Sequence, residues 1–210
     1  MARNDFVFAP RLLSDNFVPI ILLGVMAKSP RIPPSQGELD KSVEDIVYVM
    51  SQCSTYFVWW VHIKPKLTGH VHADCAHMTI IHNGVVEATL LFVRKLNEFF
   101  RERPKVDEKD DDLRAYDFPG FKAVGPFLHP GDYEQLHKRV GHMTLQQVRS
   151  GKVSWEIHNA VKLALAKSVS FLDFLVDDLY SSNADRREYV SSARGALLRL
   201  SKEMEKAKAI

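Results

Sequence analysis

Helical periodicity is strongest over residues 78–100, where nearly every side is apolar apart from one narrow polar seam. Asn83, Glu87, Arg94 and Asn97 fall within roughly 40° of one line along such a helix. Met78, Ile81, Val85, Phe92, Leu96 and Phe99 take the opposite line, and Ile80, Val86, Leu91 and Val93 fill the flanks. A helix that is apolar almost all round is normally buried. The pattern therefore predicts a helix enclosed by its neighbours, whose seam residues need partners because unpaired buried charge is costly. One solution is a structural network pairing Glu87 with Arg94 and Asn83 with Asn97. The other is a site in which Glu87 or Arg94 orients a further residue or binds phosphate.

The rest of the chain is also helical in pattern. Residues 28–40 are rich in Pro and polar side chains and read as a linker. Ser42 is placed to cap a first helix with Glu44 and Asp45 in its opening turn. Ile46, Val49, Met50, Cys53, Phe57 and Trp60 then recur at helical spacing, ending near Lys64 and Pro65. The second helix is expected from about His72 to Arg103, stopped by Pro104, and an acidic run with aromatic residues behind it reads as a long loop that returns to the bundle. Pro130 and Asp132 open a third helix over 131–149. Ile157, Val161, Leu165, Val169, Leu172 and Val176 mark a fourth that ends at Asn183, and residues 185–209 form a more polar fifth with Tyr189, Ala193, Leu197 and Leu200 on its apolar face. Almost nothing alternates with period two. The expected fold is all-α, an antiparallel four- to five-helix bundle, divided into an irregular arm and linker (1–40), a helical bundle (41–182) and a polar C-terminal helix packed on or extending from it (183–210).

Composition adds limits. The chain has 210 residues, enough for a sizeable core. A net charge of +2 does not by itself argue for nucleic acid, so binding of that kind would need a local patch. Cys53 and Cys75 form no C-x-x-C pair or disulfide framework, which points to a reducing compartment and a cytoplasmic protein. Residues 17–27 are apolar and follow Arg3 and Arg11, as in a signal peptide, but Pro19 interrupts the run and Asp5 and Asp15 dilute the positive flank. No run reaches the roughly 18–20 apolar residues of a membrane span, and no membrane association is expected.

Two segments together carry a family resemblance. The order N-x-x-V-E-A-x-L-L-x-x-R-x-L-x-x-F-F at 83–100, an acidic loop ending in Asp117 and Phe118, and K-R-V-G-H-M-T at 138–144 resemble small bacterial proteins of the HEPN type, the higher eukaryote and prokaryote nucleotide-binding domain. The resemblance covers about residues 42–180. It implies an all-helical bundle, often a homodimer, working in toxin–antitoxin, abortive-infection or RNA-processing systems. RNA or a nucleotide and a partner antitoxin are the implied partners. Active members are metal-independent ribonucleases carrying an Arg, four to six residues, then a His. In that chemistry the His serves as acid or base at the ribose 2′-hydroxyl and leaving oxygen while Arg meets the phosphate.

His142 stands at the family's histidine position. The spacing then requires Arg at 135, 136 or 137, where Gln135, Leu136 and His137 stand instead. Arg139 is three residues before His142 and shares its helix face. Lys138, four before, supplies charge without the bidentate fork of Arg. The favoured reading is a non-catalytic binding or structural partner; the alternatives are a ribonuclease using His142 with Arg139 or Lys138, and an unrelated four-helix metal or ligand binder. In the first reading His142 is a packing or interface residue.

Other candidates carry less. His62, His70, His72, His77 and His82 surround Cys75, but their spacing matches no zinc-finger pattern. Glu134 and His137 supply only one of the two E-x-x-H pairs of a di-iron bundle. Neither a metal nor another cofactor is expected. Tyr56, Phe57, Trp59 and Trp60 are able to stack bases, although their helical spacing fits core or interface better.

Overall fold

The computed structural model describes residues 32–65, 76–102, 112–122, 125–140 and 156–207, with backbone alone at 76–79 and 138–140. The described residues form an all-α fold without strands. Helices α1 (Gln36–Cys53) and α2 (Thr55–Val58) make one nearly continuous rod that widens into a π-helical turn, Trp59–Ile63. Helix α3 (Ala76–Phe99) returns along it. A 3-10 turn (Ala115–Asp117) precedes the short α4 (Pro130–Val140). Helix α5 (Ile157–Phe174) is prolonged by a second π-helical stretch, Leu175–Leu179, and α6 (Ala184–Ala207) closes the fold.

Helix α1 starts earlier than its sequence suggested. Ser35 caps it, with Ser35 Oγ accepting the Glu38 N–H and the Glu38 carboxylate accepting the Ser35 N–H at 2.7 Å. This S-x-x-E box satisfies two otherwise orphaned donors. Residues 36–40, expected as linker, are therefore helical, and Leu39 and Val43 are in the core. Ser42 instead donates back to the Leu39 carbonyl at 2.7 Å. Asn183 ends the fourth predicted helix as expected and opens the next, its Oδ1 accepting the Arg186 N–H at 3.1 Å.

Ring contacts fix the relative directions. Tyr48 meets Phe92 and Trp59 meets His82, so α1–α2 and α3 run in opposite senses. Phe99 meets Phe171, while Leu90 and Val93 lie near Ile157 and Ala160, so α3 and α5 run the same way. Tyr180 at the end of α5 donates to Asp40 at 2.8 Å, which ties that end to the start of α1. The centre is aromatic: Phe99, Phe100, Phe118, Phe121 and Phe171 pack largely edge to face with centroids 5.0–6.3 Å apart. Such geometry aligns the positive ring edges with negative faces. Phe118 and Phe121 belong to the segment after the acidic run, so this part of the loop does return to the bundle. The turn there needs Gly120, whose φ of +96° is strained for any residue with a Cβ.

Helix α6 packs on α5 and contacts α1, burying Val190, Leu197 and Met204. These repeat every seven residues and place Tyr189, expected on the apolar face, at the surface. Among the described residues no helix is long and apolar enough to cross a membrane. Residues 17–27 lie outside the described residues.

Candidate functional site

The polar seam of α3 does not form one interior line. Asn83 and Glu87 are exposed, Arg94 is half-buried and Asn97 is buried. Among the described residues no hydrogen bond or ion pair joins Glu87 to Arg94 or Asn83 to Asn97. Helix geometry explains why: at about 1.5 Å per residue the first pair is roughly 10 Å apart along the axis and the second roughly 21 Å. Among the described residues, α3 is buried mainly from Thr89 onward. The apolar face is thereby split as well, with Leu96 and Phe99 in the core but Ile81 exposed, and on the flanks Val93 buried while Ile80 and Leu91 face outward.

Asn97 has a defined role. Its Oδ1 accepts the backbone N–H groups of Phe127 at 3.0 Å and Leu128 at 2.9 Å, immediately before α4. Leu128 and Leu136 then seal α4 against α3. One amide thus positions the helix that carries Lys138 and Arg139 in its last turn. His142, and with it the contact between Arg94 and His142, lies outside the described residues, as do the side chains of Lys138 and Arg139.

Sequence reasoning missed a second polar anchor. Arg114 is buried and its guanidinium donates to the Glu98 carboxylate at 2.8 Å and to Asp112 at 3.2 Å, while the Arg114 backbone N–H donates to the Asp117 carboxylate at 2.9 Å. It also reaches the Glu98 carbonyl. The fork geometry of Arg suits this use. Its place beside an acidic run gave no periodic signal, so the surrounding segment read as solvated loop.

The aromatic corner closes on itself. Phe57, Trp59 and Tyr56 are buried, whereas Trp60 is 40% exposed. Tyr56, one turn before Trp60, stacks on it at 5.9 Å, and Lys64, one turn after, holds its ammonium 3.6 Å from the ring centroid. Tyr56 and Lys64 thus both contact the Trp60 ring along the helix. Trp59 contacts His82 at 4.8 Å, and burial followed by the charge of Lys64 holds the His82 pKa below the ordinary imidazole value. His62 is exposed, the other histidines around Cys75 lie outside the described side chains, and among the described residues no three His, Cys, Asp or Glu side chains group as a metal site.

A cleft of about 760 Å³ lies between the Pro119–Lys122 turn and the end of α5. Its charged lining is Asp173, Asp177 and Asp178 against Lys122, and Asp173 is paired with Arg194. The excess negative charge repels a phosphate backbone. The outer face of α3 carries exposed apolar side chains beside the exposed Glu87 and Lys95. Ile80 is 66% exposed, and Ile81 and Leu91 are exposed beside Ala88 and Gly84. A Cβ added at Gly84 meets nothing within 4 Å, so packing among the described residues does not require a glycine there. No family model, no curated protein and no solved structure matches this chain.

Proposed function

We propose that this chain is a HEPN-like helical protein that works by binding, as a non-catalytic structural partner in bacterial defence, stress or toxin–antitoxin biology, and that it does so as a homodimer. The observation that carries the binding role is the outer face of α3, where Ile80, Ile81 and Leu91 surround Gly84 and Ala88. Large apolar side chains grouped on one helix face mark interaction sites more often than isolated ones do. A glycine inside a helix costs about 1 kcal/mol relative to alanine, and close approach of a second backbone gives that cost a purpose. In an antiparallel pair of α3 helices, Leu91 of each copy sits over Gly84 of the other, with the two-fold axis between Glu87 and Ala88. Such a contact is isologous and closes after two chains.

Two observations favour binding over RNA cleavage. The acidic cleft repels phosphate, and the Trp60 ring is already in contact with Tyr56 and Lys64. The resemblance itself lacks Arg at the spacing that cleavage uses.

Sedimentation of the full chain, native and as the Ile80→Asp/Leu91→Asp variant, tests the dimer. The native chain is expected to self-associate below about 100 μM, and the variant to be monomeric with an unchanged circular dichroism spectrum. A native chain that stays monomeric at that concentration overturns the homodimer. Incubation of native and His142→Ala protein with total RNA and EDTA tests the rest. Cleavage by the native protein that His142→Ala abolishes overturns the non-catalytic reading and installs a metal-independent ribonuclease using His142 with Arg139 or Lys138.

A further inference from the structure

A second, smaller cavity, about 190 Å³, lies where α3, α4 and the start of α5 meet, away from the outer face of α3. Its floor is apolar, made by Leu90, Val93, Leu128, Leu136 and Ile157, all buried. At its mouth Leu163 is still 38% exposed. Polar groups stand around the rim: Gln135 from α4, Asn159 from α5 and His129 from the loop. Among the described residues, the formal charges in the lining are the carboxylates of Asp132 and Glu156.

Glu156 occupies the N-cap position of α5 yet makes no side-chain capping bond. No ion pair to Asp132 or Glu156 occurs among the described residues. Both sit near helix starts, where carboxylates are favourable, but that interaction leaves their oxygens available as acceptors. An apolar cavity with a few convergent polar groups is the usual form of a small-molecule site. At this volume, below the roughly 300–1,000 Å³ of ordinary ligand cavities, the occupant has about ten non-hydrogen atoms.

We propose that this cavity binds a small organic cation of the arylalkylammonium class, its ring on the Val93–Leu136 floor and its ammonium between Asp132 and Glu156. The charge complementarity is one-sided: a carboxylate on the same apolar body meets two like charges. The inference is independent of self-association through α3, since the two surfaces share none of the residues that define them.

Isothermal titration of the full chain with tryptamine, indole and indole-3-propionate tests it. Tryptamine is expected to bind saturably with Kd below about 1 mM, and the other two at least about tenfold more weakly. The Asp132→Asn/Glu156→Gln variant, with its native circular dichroism spectrum verified, is expected to lose about tenfold in tryptamine affinity. Should the variant unfold, the native chain at pH 7 still decides the matter through the tryptamine to indole-3-propionate ratio. Equal affinity for the three probes, no saturable tryptamine binding, or tryptamine affinity unchanged in a folded variant overturns the proposal.

Discussion

Asn97 accepts the backbone N–H of Leu128 at 2.9 Å, joining the last full turn of α3 to the residue that precedes α4 by two positions. The same oxygen accepts the Phe127 N–H at 3.0 Å. A short helix with mostly polar residues has little propensity to hold its place alone, and this bond gives it a fixed origin.

Asn97→Ala removes that acceptor and leaves two amides without a partner in a buried setting. The expected loss is about 2–4 kcal/mol of unfolding free energy, read by urea denaturation. Amide hydrogen exchange over residues 127–137 is expected to accelerate more than exchange in α1. Asn97→Asp keeps the acceptor and should lose less. A destabilisation under about 0.5 kcal/mol for Asn97→Ala contradicts the role given to this side chain.

Arg114 makes a different kind of tie, since it brings charge into the core edge. Arg114→Ala is expected to cost about 2–3 kcal/mol, because the Glu98 carboxylate and carbonyl lose a partly buried, charge-assisted donor. Arg114→Lys should recover only part of this, as one ammonium does not reproduce the fork that reaches both Glu98 and Asp112. Full recovery by lysine in the same denaturation assay counts against the geometric argument.

His82 introduces a pH dependence. Its folded pKa is lowered by burial first and by Lys64 second. A depressed imidazole pKa means that the unfolded chain takes up the proton more readily, so the stabilisation is present above the unfolded value of about 6.5 and is lost as pH falls from there through the folded pKa. His82→Phe keeps a ring against Trp59 and cannot protonate. Thermal melts between pH 7.5 and about 5 are expected to show a smaller drop in Tm for His82→Phe than for the native chain. Parallel drops in the two proteins remove His82 as a contributor.

Much of the scaffold was legible from periodicity. The stripe Ile157, Val161, Leu165, Leu172 and Val176 is buried as its spacing indicates, and Met50, Cys53 and Phe57 likewise line the core side of the first rod. A capping box at Ser35 and Glu38 was also written in the sequence, although a Pro-rich segment just ahead of it masked the start of α1. The seam of α3 misled for a definite reason. Periodicity reports which residues share a helix face, not how far neighbouring elements extend along it.

The sequence alone determined that the described part of the chain is helical and which residues make most of its apolar stripes, because these depend on local propensity and on spacings within one element. Tertiary structure decided the rest. Asn97 became a buried acceptor and Asn83 a surface residue only because the 127–128 loop reaches one and not the other. Ile80 and Leu91 lie outside, and Arg114 inside, through contacts between segments that no single-helix pattern encodes. Burial is a property of what packs against a residue, and that is settled when distant parts of the chain meet.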